Sequence, residues 1–397
     1  MKKIFSYKYL TSLFFLVLLV ITLIASCLQY GKSVIYQVKR LLRGYGFSAT
    51  ELLSDYNYQL PGKSIYITLN GGLQRLTGHR LVNERYLMDN GHLTYVIPET
   101  DVTAMAENTV AFHDALEKMG IPFGYVSTLF KVDGDDQQLP QGVTDYADQN
   151  TNAFLSILKE NGVNVLDLRQ KEKEQGLNHY DLFYRTDHHW KAETGFWAYT
   201  QVVDWLEAQN SSFAVDPVLT NQSSYDHTVY ENIFCGSAAR RVGPLYAGLD
   251  DITVITPKFD TYLNVDVPLT DLHREGSYDD TLLFRDHLSG KNMMQNSAYC
   301  VYLNEDYAQM IISNQSRTLD LQSQSTPKKL LILKDSTALV VAPFLALSYD
   351  EVHLLDLRAF QGDVLSYVED YQPDMVLIMY NPGALEQHNA NMFDFLE

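Results

Sequence analysis

Leu330-Leu331-Ile332-Leu333-Lys334-Asp335-Ser336-Thr337-Ala338 is the stretch on which the architecture turns. It reads as an apolar strand, Lys329–Leu333, running through Asp335-Ser336 into a helix over Thr337–Leu347. A strand-to-helix turn at the carboxyl end of a parallel sheet is where open α/β folds place their ligands. A serine there has an exposed hydroxyl, and its own backbone N–H, at a helix N-terminus, can receive a developing oxyanion. The plainer reading of Ser336 alone is a helix N-cap, a position that serine commonly takes.

Working outward, the same alternation recurs on both sides. Downstream, Glu351–Asp356 reads as a strand, Ala359–Tyr371 as a helix and Met375–Met379 as a strand. Upstream, His92–Ile97 reads as a strand, Ala106–Met119 as a helix stopped by Gly120, and Pro122–Phe130 as a strand. Asn150–Asn161 is then a helix stopped by Gly162, and Val163–Leu168 a strand. Strand and helix in alternation predict a parallel sheet with helices on both faces, an α/β fold. Residues 210–326 are less regular and rich in Asp, Asn, Ser and Tyr, and are expected to form an insertion or an antiparallel extension. No linker or repeat interrupts residues 61–397, which are expected to be a single domain.

The N-terminus sets a compartment. Lys2, Lys3 and Lys8 precede an apolar run from Tyr9 to Leu28, long enough for a bilayer core of about 30 Å. Residues 1–30 therefore read as a signal anchor or a lipoprotein signal, with residues 31–60 a juxtamembrane connector and the rest outside the cytoplasm. Ile24-Ala25-Ser26-Cys27 resembles a lipobox, so lipidation of Cys27 competes with retention of the anchor. The chain of 397 residues carries 30 basic and 49 acidic side chains, a formal net charge of −19, which argues against a nucleic-acid partner. Three cysteines, Cys27, Cys235 and Cys300, are too scattered for a disulfide framework or a zinc motif. A Cys235–Cys300 bridge and two free buried thiols both stay open, the thiols being the simpler reading.

Tyr184-Arg185-Thr186-Asp187-His188-His189-Trp190 places an acid and two histidines directly before a helix over Ala192–Ala208. In an extended segment residues two apart share a face, so Asp187 can orient the His189 imidazole while His188 points elsewhere. His188 and Trp190 are expected to pack. A metal at Asp187, His188 and His189 is a weaker reading, because adjacent residues do not readily converge on one ion and the other histidines show no ligand spacing. Neither a metal nor a cofactor is expected.

Asp187-His188-His189-Trp190, followed by Phe234-Cys235-Gly236-Ser237 and then by the strand ending in Asp335-Ser336, resembles the bacterial DHHW proteins, which group with the alginate-acetylation type of SGNH hydrolase-like proteins. Leu139-Pro140 and Val165-Leu166-Asp167-Leu168-Arg169 extend the resemblance. It implies a three-layer α/β/α fold with a mainly parallel sheet. It further implies Ser336 as nucleophile, His189 as general base and then acid, and Asp187 as the group that fixes the imidazole tautomer. Gly236 and Asn381 are positional candidates for the oxyanion hole, with Ser237 and Arg185 as further substrate contacts. The activity implied is O-acylation, acetylation above all, of a cell-wall or exported polysaccharide, with a membrane-bound O-acyltransferase supplying the acyl group. With water as acceptor the same three residues would make a carbohydrate acetylesterase. A non-catalytic glycan-binding or assembly component is the reading from another class, favoured if the three side chains lie far apart.

Overall fold

The structure, a computed structural model, describes residues 2–42, 62–268, 270–316 and 328–396. The chain divides into two compact units, Met1–Asn70 and Gly71–Glu397. In the first, helix α1 (Lys2–Leu42) contains Tyr9–Leu28, 20 residues of mean hydropathy 2.6 and the one described helix long and apolar enough to cross a membrane. The helix continues well past residue 30, and residues 43–60 of the expected connector lie outside the described residues. Helix α2 spans Lys63–Leu76.

The second unit begins within α2, at Gly71, and continues into a small antiparallel sheet of β1 (Leu81–Val82), β2 (Arg85–Leu87) and β3 (Leu93–Thr94). The strand expected over His92–Ile97 is thus only two residues long and stands apart from the main sheet. The cause is that the Leu93 N–H donates to Arg185 O across a loop instead of joining the main ladder.

The elements that follow are α3 (Thr103–Lys118), β4 (Phe123–Ser127), α4 (Ala147–Glu160), β5 (Asn164–Asp167), α5 (Leu168–Gln175) and α6 (Ala192–Gln209). The middle of the chain holds β6 (Tyr225–Phe234), α7 (Ser237–Val242), β7 (Asp250–Pro257), β8 (Leu263–Asp266), β9 (His273–Gly276) and β10 (Gln309–Asn314). The last part comprises β11 (Lys329–Lys334), α8 (Ala342–Ser348), β12 (Glu351–Leu355), α9 (Val364–Tyr371) and β13 (Met375–Tyr380).

Eight strands form one sheet in the order β5-β4-β13-β11-β12-β10-β8-β9. The first five run parallel and the last three are antiparallel. The irregular middle of the chain therefore supplies β8, β9 and β10 as an antiparallel extension, while β6 and β7 pair separately as a hairpin. Alternate side chains of each parallel strand enter opposite layers, as the twofold repeat of a strand requires. Leu330 and Ile332 of β11 join the core beneath α6 and α8, whereas Leu331 and Leu333 join the core that contains Phe112, Phe154 and Val368 of α3, α4 and α9. Gly120 and Gly162, at φ 74° and 78°, make the left-handed turns that end α3 and α4.

Two helices differ from the sequence expectation. Instead of one helix over 337–347, a 3-10 turn at Ser336–Val340 precedes α8. Pro343 has no N–H to donate back to Leu339, so a continuous helix would lose a rung there. The helix expected from Ala359 begins only at Val364, where the Asp363 side chain caps it by accepting from Ser366 N–H at 2.5 Å.

Candidate active site

Strands β4, β11 and β13 end level with one another, Lys334 opposite Met379 and Tyr380 opposite Ser127. The chain leaves β11 through Asp335, whose carboxylate is buried and accepts from Thr337 N–H at 2.8 Å and from both the backbone and side-chain N–H of Asn381 at 2.6 Å. This one side chain ties the exit of β11 to the exit of β13. Ser336 is thereby fixed at the start of the turn, where its hydroxyl meets the imidazole of His189, with Oγ and Nε2 2.8 Å apart.

His189 Nδ1 lies 2.6 Å from Asp187 Oδ1. Asp187 is fully buried, and although burial alone would raise its pKa, His189, His188 and their hydrogen bonds hold its carboxyl well below the usual carboxylate range. An ionised carboxylate only accepts, so Nδ1 carries a proton, and in the neutral imidazole this leaves Nε2 to accept from Ser336 Oγ–H. Serine, imidazole and carboxylate thus form a relay in the protonation state that nucleophilic attack requires. The segment is a tight loop rather than a strand. Phe183 bridges Trp190, and Asp187 Oδ1 also accepts the His189 backbone N–H at 2.9 Å. In this loop His188 does not point away: its ring centre lies 3.8 Å from that of His189.

Three features hold the loop. Lys131, buried just beyond β4, donates from Nζ to the carbonyl oxygens of Leu93, Tyr184, Arg185 and Asp187 at 2.6–3.0 Å. Asp250 accepts from the backbone N–H groups of Arg185 and Thr186 at 3.2 and 2.7 Å. An ammonium grips the loop's acceptors and a carboxylate its donors. The third feature is Gly236, where an added Cβ would lie 2.4 Å from Thr186 O and 2.6 Å from Asp187 Cβ. Gly236→Ala is expected to push the Asp187 segment aside, with a stability loss of about 2 kcal/mol and a fall of kcat larger than the fall in folded protein explains, measured as activity per folded molecule.

Tyr299 covers the other face of His189, with ring centres 4.0 Å apart at 11°, and its buried hydroxyl donates to Ser336 O at 3.0 Å. A single ring so restrains the imidazole and the backbone of the serine. Tyr299→Phe keeps the stack and loses the hydrogen bond; a Tm decrease corresponding to about 1 kcal/mol and a kcat decrease of several-fold are expected. Trp190 packs as expected, its Nε1–H donating to Thr337 O at 3.0 Å.

The hydroxyl of Ser336 opens onto a cleft of about 900 Å³, whose walls include Tyr86, Tyr95, His188, Arg241, Arg358 and Asn381. Of the residues singled out in the sequence, Ser336, His189 and Asp187 come together. Gly236 and Ser237 sit behind Asp187, the Gly236 N–H donating to Thr186 Oγ1 at 3.0 Å and the Ser237 N–H to Asp187 Oδ2. Asn381 lines the cleft with its amide turned to Asp335. Arg185 lies outside the cleft walls and donates to Leu249 O at 3.2 Å.

Asp187, His188 and His189 bring ligand atoms within 4.8 Å of one another. Those atoms are engaged, however: Asp187 by His189 and Ser237, and His189 Nε2 by Ser336. The donor set is satisfied by the relay and does not fit a metal without breaking it. Cys235 and Cys300 are free thiols, pushed up to about 11 by burial, which suppresses thiolate chemistry beside the site.

Lys131, Asp250, Tyr299 and the position of His188 escaped sequence reading. Only Lys131 left a trace, as a lysine enclosed in Leu129-Phe130-Lys131-Val132.

Residues 91–225 match the family model described as the SGNH hydrolase-like domain of acetyltransferase AlgX. The match includes Asp187 and His189 and stops short of Ser336. No curated protein matches the chain significantly. Among solved structures, PatB1 of Bacillus cereus aligns at 22% identity and TM-score 0.61, covering 78% of this chain and 98% of its own. A second structure of PatB1, with a sulfonyl adduct, aligns at the same identity and TM-score and covers 78% of this chain and 99% of its own. A DHHW family protein from Eubacterium siraeum aligns at 19% identity and TM-score 0.58, covering 80% of this chain and 97% of its own. The chain therefore has the SGNH hydrolase-like α/β fold with a mainly parallel central sheet, similar over residues 91–225 to the AlgX acetyltransferase domain and over most of its length to PatB1 and the DHHW family protein.

Proposed function

We propose that the chain is a serine O-acyltransferase that acetylates a cell-wall or exported polysaccharide through an acyl-Ser336 intermediate. The observation that carries this reading is the hydrogen-bonded series Ser336–His189–Asp187, at 2.8 and 2.6 Å, at the mouth of a cleft beyond the carboxyl ends of the parallel strands. His189 takes the Ser336 proton as Oγ bonds to the acyl carbon, and returns it to the leaving oxygen as the donor departs. A sugar hydroxyl then enters and gives its proton to His189 as its oxygen bonds to the acyl carbon, and His189 passes that proton to Ser336 Oγ as the ester bond to Ser336 breaks.

The acetyltransferase description of the matched model supports the acyl chemistry. The apolar segment Tyr9–Leu28 supports a membrane tether, with the catalytic unit on the extracytoplasmic face and a membrane-bound O-acyltransferase as the acyl supplier.

The test offers the full-length chain a chromogenic acetyl ester with an oligosaccharide acceptor in excess. Acetylated sugar should form faster than free acetate, and an acetyl group should be found on Ser336 by peptide mass spectrometry. Acetate as the sole product would make the protein an esterase. Absence of both products and of the adduct would leave the non-catalytic reading in its place.

A further inference from the structure

An oxyanion developing on an acyl group is stabilised by donors fixed in advance around it. Ser336 N–H, at the first position of its turn, has no hydrogen-bond partner among the described residues and supplies one donor. The groups that sequence reading offered as a second are engaged: Gly236 N–H with Thr186 Oγ1, and both the backbone and side-chain N–H of Asn381 with Asp335. Gly383 N–H, also on the cleft wall, donates to Asn381 Oδ1 at 2.7 Å.

His188 is differently placed. It lines the cleft with Ser336, its side chain is 32% exposed, and its ring lies against that of the base. Its Nδ1 is 2.7 Å from Ser237 Oγ, a hydroxyl held in place by its own backbone N–H on Asp187. Nδ1 also lies 3.3 Å from Asp187 Oδ1, a contact without hydrogen-bond geometry, so Ser237 Oγ is its hydrogen-bond partner; with that hydroxyl donating to Nδ1, the imidazole proton resides on Nε2. Nε2 has no partner among the described residues and is the nitrogen left for the cleft.

We propose that His188 is the second oxyanion donor, presenting Nε2–H to the carbonyl oxygen of the acyl group on Ser336. This rests on the acyl-serine reading above. As Ser336 Oγ bonds to the acyl carbon, its proton passes to His189 Nε2 and the carbonyl electron pair moves onto oxygen. That oxygen accepts from Ser336 N–H and His188 Nε2–H. The pair returns as the bond to the leaving oxygen breaks, and the leaving oxygen takes the proton from His189. His188 gives up no proton in the cycle. Burial and the neighbouring His189 hold its pKa down at about 3, so the ring stays neutral and donates without competing as a base.

The experiment compares His188→Phe, His188→Gln and Ser237→Ala with the full-length wild type in acetyl-ester turnover, per folded molecule. Phe keeps the ring stack and removes the donor; kcat should fall about 100-fold with KM within twofold. Gln returns an N–H near the Nε2 position and should recover at least tenfold of that loss. Ser237→Ala, which frees the tautomer, should fall between them, and no variant should move the limbs of the pH–rate profile. A kcat for His188→Phe within threefold of wild type, equal losses in Phe and Gln, or displaced pH limbs would each overturn the assignment. An acetyl-Ser336 adduct in the wild type, sought in the same samples, separates this failure from failure of the acyl-serine reading, in which no adduct forms at all.

Discussion

Ser336→Ala is expected to lower kcat for acetyl-ester turnover by a factor on the order of 10⁴ or more, with Tm nearly unchanged. Among the described residues, the Ser336 hydroxyl is the nucleophile within reach of His189, whose Nε2 stands 2.8 Å away to take its proton. His189→Ala should lose about as much, because a serine at neutral pH is a poor nucleophile without its base. The double variant should be scarcely worse than either single one, since the two act as a unit. Acetate release by the three variants checks all of this. A Ser336→Ala protein within tenfold of wild type would remove the serine mechanism, and losses in the singles that multiply in the double would remove the coupling between serine and base.

Lys131→Met has the next largest expected effect, this time on both stability and activity. Methionine fills the slot but takes the Nζ donor from the carbonyl oxygens of Leu93, Tyr184, Arg185 and Asp187, of which Arg185 O keeps a second donor in the Leu93 N–H. Buried acceptors left unpaired cost about 1–3 kcal/mol each, in part relieved by removal of a buried charge. A net loss of about 3 kcal/mol, read as a Tm decrease of roughly 5 °C or more, should accompany a kcat loss greater than the unfolded fraction explains, because Asp187 rides on the freed loop.

The same lysine gives stability and activity opposite dependences on pH. Burial pushes its pKa down to about 7, against the pull of Asp250 and Asp187 and with a further push from Arg185. The unfolded chain keeps a lysine near 10.4. Between those two values the native state holds fewer protons than the unfolded one, so this group makes stability rise, not fall, as pH climbs from 7 to 10. Activity should do the reverse. A neutral amine has two N–H groups for four carbonyls, and kcat should decline above about pH 7 while Tm is maintained. Parallel profiles of kcat and Tm decide it: a Tm that drops together with kcat would remove Lys131 as the cause.

How far the sequence speaks depends on the range of the interaction being read. Leu330–Leu333 and Met375–Met379 declare themselves as strands because every residue in a parallel strand buries its side chain, and that demand is local. Where a demand is not local, composition and structure part. His92–Ile97 has strand composition, but its backbone is claimed by Arg185 from a distant part of the chain. An extended segment alternates its side chains and would turn His188 away from the site, whereas the bend made by Asp187 on the His189 N–H brings both rings to one place.

By itself the sequence determined the parallel strands, the helices that cover them, and three chemically apt residues, Asp187, His189 and Ser336, since strand period, apolar runs and an acid two residues from a histidine are properties of adjacent positions. Only the tertiary structure decided that these residues meet, with Ser336 and His189 147 positions apart in the chain yet 2.8 Å apart in space. It alone also decided that Gly236 braces the Thr186 hydroxyl and Asn381 the Asp335 carboxylate, and that Lys131, Asp250 and Tyr299 hold the loop and the His189 ring. The physical reason is that hydrogen bonds and ring contacts act over a few ångströms of space whatever the distance along the chain. Which side chain falls within that reach is set by how the β11 and β13 exits and the loop before α6 converge, and no local pattern encodes it.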